Sequence, residues 1–434
     1  MRKMKDSGVD WIGEIPVNWE LRRIKHLPDP SISNNYIDGD WIESQDISDA
    51  GIRYLTTGNI GDGKYKDQGN GYVSQETFDE LKCKYAYPGD LVISRLNAPY
   101  GRSCILPNDF SEYVLAVDNV ILRPLVNRKF LCYVTQCEGY QYAVEDQAKG
   151  TTMKRISRTN LGNIILPIPT DEEQNRIVKY LDSICSKLDS IIEGHALIIG
   201  KLKDYRTSII TETVTNGLNS NAERIQGNIN WIKGYPRHWK AYRVANLYEQ
   251  TSEPGLEELP ILTVSINSGI SDRELADDEK DRVFVRSEDR TKYKRVRPGD
   301  LAYNMMRAWQ GAFGAVRVDG MVSPAYVTCR PKSGVEIDTR YIEYLFRTPI
   351  AIEEMHRYSH GIADFRLRLY WPEFKNIRLC LPPIEEQMEI ADYIDEKTAK
   401  IEATIKMRED TIAKLQEYKK SLIYEVVTGK KEVL

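Results

Sequence analysis

Asn163-Ile-Ile-Leu166, Glu172-Glu-Gln174, Tyr180 and Asp182 return later in the chain as Asn376-Ile-Arg-Leu379, Glu385-Glu-Gln387, Tyr393 and Asp395. The register holds without a gap to Tyr205-Arg-Thr-Ser208 against Tyr418-Lys-Lys-Ser421, and Val214-Thr215 against Val427-Thr428. Further upstream, Trp11-Ile-Gly-Glu-Ile-Pro16 with Trp19 is echoed by Trp231-Ile-Lys-Gly-Tyr-Pro236 with Trp239, and Pro88-Gly-Asp-Leu91 by Pro298-Gly-Asp-Leu301. The order is the same in both halves. A repeat of about half a 434-residue chain is far too long for a solenoid of small stacked units. It indicates a duplicated module, a large globular part followed by a long charged helix, and two similar modules suit a target with two parts.

Composition bounds what such a chain can be. Hydrophobic residues make up 41%, enough for two real cores. No apolar run approaches the roughly 20 residues needed to span a bilayer. The start, Met1-Arg-Lys-Met-Lys-Asp6, leads into polar residues with no apolar signal segment. A cytoplasmic protein without a membrane partner is therefore expected. The seven cysteines (Cys83, Cys104, Cys132, Cys137, Cys185, Cys329 and Cys380) are scattered and form no CxxC pair, which fits a reducing compartment with neither a disulfide framework nor a zinc site. Net charge is −4, from 60 basic and 64 acidic residues. Strong non-specific polyanion binders are usually basic. Any nucleic-acid contact must come from local basic patches, supplemented by a partner.

Two long helices are expected. Thr170-Asp-Glu-Glu173 reads as a capping box, with prolines at 167 and 169 ending the strand-like run before it. From there Ile177, Leu181, Ile184, Leu188, Ile191, His195, Ile198, Leu202, Tyr205 and Ile209 recur at alternating steps of four and three, a heptad seam. Asn216-Gly217 supplies a stop, so the first helix covers 170–216. The second copy, 383–429, opens after Pro382 and runs through Ile390, Ile394, Ile401, Ile405, Ile412, Leu415, Tyr418 and Leu422 to Gly429. Its seam is interrupted by Lys397 and Thr404. Neither stripe can be buried on a compact domain alone, and two related surfaces pairing through the same face make an isologous contact. The expected fold is α+β: two similar mixed domains, 1–165 and 222–380, joined by two long helices packed as an antiparallel coiled coil with pseudo-two-fold symmetry. The competing arrangement packs each helix on its own domain.

The globular halves show short strands bounded by Gly, Pro and Asn turns. Outside the shared landmarks they diverge. Ser94-Arg-Leu-Asn-Ala-Pro-Tyr-Gly-Arg102 stands where the second copy has Asn304-Met-Met-Arg-Ala-Trp-Gln-Gly311. Lys149-Gly-Thr-Thr-Met-Lys-Arg-Ile-Ser-Arg158 stands where it has His360-Gly-Ile-Ala-Asp-Phe-Arg-Leu-Arg368. A constant frame with different loop chemistry implies two scaffolds reading two different targets. Arg and Lys suit guanine edges, Asn and Gln adenine, the Thr methyl suits thymine, and basic or hydroxyl groups hold phosphate. The candidate DNA contacts are Arg95, Asn97, Tyr100, Arg102, Lys149, Thr151, Thr152, Lys154, Arg155 and Arg158 in the first half. In the second they are Asn304, Arg307, Trp309, Gln310, His360, Arg366 and Arg368. The bland alternative for each loop is a solvated basic surface. Arg290-Thr-Lys-Tyr-Lys-Arg-Val-Arg297 is a denser basic run, equally readable as a phosphate patch or a solvated one. Trp11, Trp19, Trp231 and Trp239 recur within a shared motif, which favours core or docking roles over base stacking.

Catalytic signatures do not assemble. Leu381-Pro-Pro-Ile384 lacks the amide and aromatic of a methyltransferase pocket, and Gly58-Asn-Ile-Gly61-Asp-Gly63 has the wrong spacing for a dinucleotide loop. No GxxxxGK[ST] loop occurs, and the five histidines show no ligand spacing. The rivals to a DNA reader are an enzyme of unfamiliar type that cuts or methylates DNA, and a coiled-coil scaffold whose globular halves bind protein.

Taken together, Lys5-Asp-Ser-Gly-Val-Asp-Trp-Ile-Gly-Glu-Ile-Pro16 with Trp19, the two Pro-Gly-Asp-Leu turns and the proline-then-Glu-Gln helix starts at 166–174 and 379–387 resemble the specificity subunits of type I restriction–modification systems. The resemblance covers essentially the whole chain. It implies two target recognition domains, each reading one half of a bipartite double-stranded DNA sequence, with the helices fixing the spacer between halves. It also implies two methyltransferase subunits docked on helices and domains, and restriction subunits joining for cleavage. Chemistry then resides in those partners, which use S-adenosylmethionine, or ATP and Mg; no cofactor or catalytic residue is expected in this chain. Asp364 in the second recognition loop departs from the basic, hydroxyl-rich character of the first.

Overall fold

The computed structural model describes residues 2–150, 153–227, 229–266, 268–275, 289–361 and 367–433. Tertiary contacts divide the chain into two units, Met1–His195 with Glu409–Leu434, and Ala196–Arg408. Each unit therefore holds one globular part, a portion of one long helix and a portion of the other. The long helices are Asp171–Asn216 and Ile384–Val427.

In the first unit the globular part carries two four-stranded sheets. One orders Tyr36–Asp38, Asn119–Leu122, Leu91–Ser94 and Ser103–Ile105. The other orders Tyr72–Val73, Ile52–Leu55, Tyr113–Leu115 and Tyr85–Ala86. Leu91-Val-Ile-Ser94 reads as a continuous apolar run because both its faces are buried. Leu91 and Ile93 join the core facing the helices Arg128–Val134 and Glu138–Asp146, while Val92 joins a second cluster with Cys104, Leu115 and Ile121. The second unit repeats this. Leu301 and Tyr303 face one cluster and Ala302 another, within a sheet ordered Tyr248–Thr251, Tyr326–Pro331, Leu301–Asn304, Phe313–Ala315.

The repeated motifs turn out to be fastenings. Asp90 of the first Pro-Gly-Asp turn accepts from the Tyr87 N–H at 3.0 Å and takes the Arg123 guanidinium through Nε at 3.0 Å and Nη2 at 2.7 Å. Asp300 accepts from the Arg297 N–H at 2.9 Å and takes Arg330 at 2.7 and 2.8 Å. Gln174 and Gln387 each donate to a proline carbonyl, Pro169 and Pro382, both at 2.9 Å. Their carbonyl oxygens accept the N–H of Asn127 and Asp338, the N-caps of the helices Arg128–Val134 and Thr339–Phe346.

Trp19 and Trp239 are docking residues. Trp19 donates its indole N–H to Glu173 at 2.9 Å, and Trp239 donates to Glu386 at 3.1 Å. Arg2 also pairs with Glu173, so that carboxylate serves the tryptophan and arginine where the capping-box reading aimed it at its own helix start. Gly429 and Gly217 close the helix ends at φ +74° and +75°. A Cβ on Gly429 would sit 2.5 Å from the Pro16 ring, and one on Gly217 would sit 3.3 Å from the Trp239 ring. In each unit, then, a tryptophan motif gathers the start of one long helix and the end of the other.

Within each unit the long helices run antiparallel. In the first, Ile177, Leu181 and Cys185 share a core with Leu422, Ile423, Val426 and Val427, and Asp189 meets Lys419 at 2.6 Å. In the second, Val214 shares a core with Ile390, Ala391 and Ile394, and Arg206 meets Glu402 at 3.2 Å. The buried face follows the heptad seam at Ile177, Leu181 and Leu188 and then leaves it. Ile191 and Tyr205 are 47% and 59% exposed, whereas Ile177, Leu188 and Ile199, spaced at eleven residues, are buried. An α-helix drifts about 20° per heptad against a 3.5-residue repeat, so the buried line follows 3.6-residue geometry. On the second helix Lys397 lies over the Tyr393 ring at 5.3 Å, and the next residue, Thr398, takes the buried place with its hydroxyl donating to the Ile394 carbonyl at 2.7 Å.

No described helix is long and apolar enough to cross a membrane. All seven cysteines are free thiols, and burial pushes Cys104 and Cys380 up to about 12, away from thiolate chemistry.

Candidate nucleic-acid interface

The divergent loops are brought together in pairs on a common backbone plan. In the first unit Lys149 and Arg155 exchange two backbone hydrogen bonds at 2.9 Å, closing the 149–155 loop, and the Ile156 N–H donates to the Arg95 carbonyl at 3.1 Å. In the second unit His360 and Arg368 exchange two at 3.0 Å, and the Leu369 N–H donates to the Met305 carbonyl at 2.8 Å. The loop that follows the buried strand and the loop that precedes the long helix are thus tied at equivalent points. What differs is the side chains they display.

Three candidates face inward and leave the list of DNA contacts. Arg102 is 8% exposed, and its guanidinium donates to the carbonyls of Ile60 at 2.6 Å, Thr57 at 2.9 Å and Asn97 at 2.8 Å. Burial lowers its pKa, and its function is to fix the 94–102 loop. Arg95 is 6% exposed and donates to the Ile156 carbonyl at 3.1 Å and the Val117 carbonyl at 2.6 Å, which joins three loops. Asn304 is buried and accepts the Met306 N–H at 3.0 Å, turning the chain out of its strand. An inward arginine and an outward one look alike in sequence when both sit between turn residues.

The others are placed as follows. Asn97 is exposed at φ +62°, and Tyr100 is half-buried against the first core. Lys149, Lys154 and Arg155 are exposed, with Lys154 3.6 Å from Glu145 and Arg155 3.1 Å from Asp118. Arg158 is half-exposed, 3.5 Å from Asp38 and over the Tyr36 ring. In the second unit Gln310, His360 and Arg368 are exposed and Arg307 is half-buried. Trp309 donates its indole N–H to the Met306 carbonyl at 3.0 Å and sets its ring edge-on to His356. Thr151, Thr152 and Arg366 lie outside the described residues.

Between the first pair of loops lies a cleft of about 710 Å³, lined by Arg95, Asp118, Lys149, Arg155, Ser157 and Asn160 among others. Asp118 and Asp38 do not stand out in the sequence, since Asp38-Gly39 and Asp118-Asn119 read as ordinary turn dipeptides with no basic residue beside them. Trp41, 69% exposed, follows Asp40, whose N–H donates to the Leu115 carbonyl at 2.7 Å close to the same region. The dense run 290–297 is occupied within its own unit. Arg295 pairs with Asp319 at 2.6 Å, Arg297 with Glu253 at 2.7 Å, and Lys294 donates to the Tyr326 carbonyl at 2.7 Å.

Comparison with known proteins places this geometry. The family model for the type I restriction modification DNA specificity domain matches residues 16–196. A putative type I restriction enzyme specificity subunit of Haemophilus influenzae, S.HindORF215P, is 32% identical over 164 residues, 36% of this chain and 39% of that protein. The EcoBI specificity subunit of Escherichia coli is 21% identical over 359 residues, covering 80% of this chain and 74% of that one. Among solved structures, a chain from a study of complex assembly and conformational transition of the type I R-M system superposes with a TM-score of 0.69 at 13% identity, over 96% of this chain and 99% of that one. The HsdS subunit of Thermoanaerobacter tengcongensis gives 0.51 at 15% identity, over 96% and 98%. The structural likenesses speak for the fold and the sequence matches for the lineage. Residues 16–196 match the type I restriction modification DNA specificity domain, and over most of its length the chain is similar to type I specificity subunits.

Proposed function

We propose that this chain is the DNA-reading subunit of a type I restriction–modification complex in the cytoplasm. Each loop pair reads one half of a bipartite double-stranded target, and the paired helices set the spacer. The observation that carries this reading is the common backbone plan of the two loop pairs, which presents different side chains in each unit. A protein that read one symmetric target, or none, would have no use for holding the frame constant while varying the display.

The helices offer a docking surface for two methyltransferase subunits. Leu197, Ile198, Tyr205 and Met407 are exposed apolar side chains on them, the kind of surface that marks protein contact. Restriction subunits join for cleavage. This chain supplies no catalytic group, so methyl transfer from S-adenosylmethionine and ATP- and Mg-dependent cleavage belong to the partners.

Methylome sequencing of cells with and without the gene tests the reading. A bipartite methylated motif should vanish on deletion, and an unchanged methylome would overturn it. The isolated chain should neither methylate nor cut DNA. Activity without partners would show that chemistry resides here after all.

A further inference from the structure

An alternating row of charges runs from Arg155 and Asp118 in the cleft of the first unit through Arg95 to Asp38 and Arg158 beyond it. Arg155 Nη1 lies 3.1 Å from Asp118 Oδ1, and Arg95 Nη2 lies 3.9 Å from the same oxygen. Arg95 Nη2 is also 3.2 Å from Asp38 Oδ1, while Arg158 Nε is 3.5 Å from Asp38 Oδ2. The middle cation is buried and anchored on the Ile156 and Val117 carbonyls. The outer two are not: the side chains of Arg155 and Arg158 are 51% and 41% exposed.

We propose that Asp118 and Asp38 stand in for DNA phosphate in the free protein, and that Arg155 and Arg158 exchange these carboxylates for the duplex while Arg95 stays in place. The proposal rests on the loop pair being the DNA-reading surface. A carboxylate and a phosphate present the same kind of acceptor to a guanidinium. An ion pair with a half-exposed member contributes little to stability, whereas a phosphate contact also releases condensed counterions. For the outer arginines the exchange is therefore downhill. Arg95 cannot follow, because swinging out would leave two buried carbonyls without their donor. The pairs also hold the outer guanidinia near their working positions, which lowers the ordering cost on binding. The carboxylates thus orient the arginines and compete for them at once. In the second unit Met305 takes the place of Arg95, so that half-site serves as an internal comparison.

The test uses the full chain assembled with its methyltransferase subunits and a labelled duplex carrying the motif found by methylome sequencing. Asp118→Asn should tighten binding about two- to fivefold, and the gain should disappear when Arg155→Ala is already present. Asp38→Asn should behave the same way with Arg158→Ala. Equal gains with and without the arginine would reduce the effect to bulk charge and overturn the exchange, as would unchanged or weaker binding. The two carboxylates are probed separately, so failure of one variant to fold leaves the other. Misfolding of both would mark them as structural and also overturn the proposal. A wild-type complex that shows no sequence preference would sink the DNA-reading assignment itself; a discriminating wild type with no gain in the variants sinks only the exchange.

Discussion

Arg123 and Arg155 belong to the same unit and each meets an aspartate, yet their surroundings give them opposite functions. Arg123 is buried, forks onto the buried Asp90 and also donates to the Tyr85 carbonyl at 3.0 Å. Removing one partner of such a pair strands a buried charge, which costs about 3–5 kcal/mol. Arg155 is half in water and its pair with Asp118 contributes little to folding. Arg123→Ala should therefore lower the denaturation midpoint of the first unit strongly. Arg155→Ala should leave stability within about 0.5 kcal/mol while weakening DNA binding and flattening its salt dependence. Denaturant melts and salt-titrated binding separate the two. Part of this was legible. The Pro-Gly-Asp repeat marked Asp90 and Asp300; the repeated Arg123-Pro124 and Arg330-Pro331, which supply their partners, is an echo that only the structure brings out. The inward turn of Arg95 and Arg102 was not legible. It depends on carbonyls of Thr57, Ile60, Val117 and Ile156, scattered along the chain.

At the level of elements, the long helices show what a periodic pattern fixes and what it leaves free. Their starts and stops are local chemistry: prolines before, acids in the first turn, glycine after. Which face is buried depends on the partner helix, and the many apolar residues on Asp171–Asn216 fit more than one line. Two glycine substitutions probe the difference between an end and a middle. Gly429 adopts φ +74° against the Pro16 ring, so Gly429→Ala meets both backbone strain and a clash and should destabilise by about 1 kcal/mol or more. Gly200 lies within the first long helix, and a methyl group added there would meet nothing within 4 Å, so Gly200→Ala should stabilise by up to about 1 kcal/mol. Thermal melts of the two variants should move in opposite directions. Stabilisation by Gly429→Ala would contradict the packing of that helix end against the Trp19 motif, and destabilisation by Gly200→Ala would contradict the open space around that glycine.

For the whole molecule, duplication was the legible part, because the fastenings that hold each recognition part to its helices are the residues that repeat. The loops proposed to read DNA were less so, since their side chains vary while the frame that carries them stays constant. This separation predicts how an exchange of parts will behave. A related module grafted over residues 1–165 must keep the contacts it hands to the helices: the Trp19 indole on Glu173, the Asn127 N–H on Gln174, and the Tyr133 hydroxyl on Asp182 at 2.7 Å. It must also fill the core shared with Ile177, Leu181, Leu422 and Val426. A donor that preserves these groups while differing at 94–102 and 149–158 should fold on the retained helices. The methylated motif of the chimaera should then change in one half, with the other half and the spacer intact. Both halves changing together would mean that the two loop pairs do not read separately, and no adjustment of individual contacts would rescue the two-reader scheme.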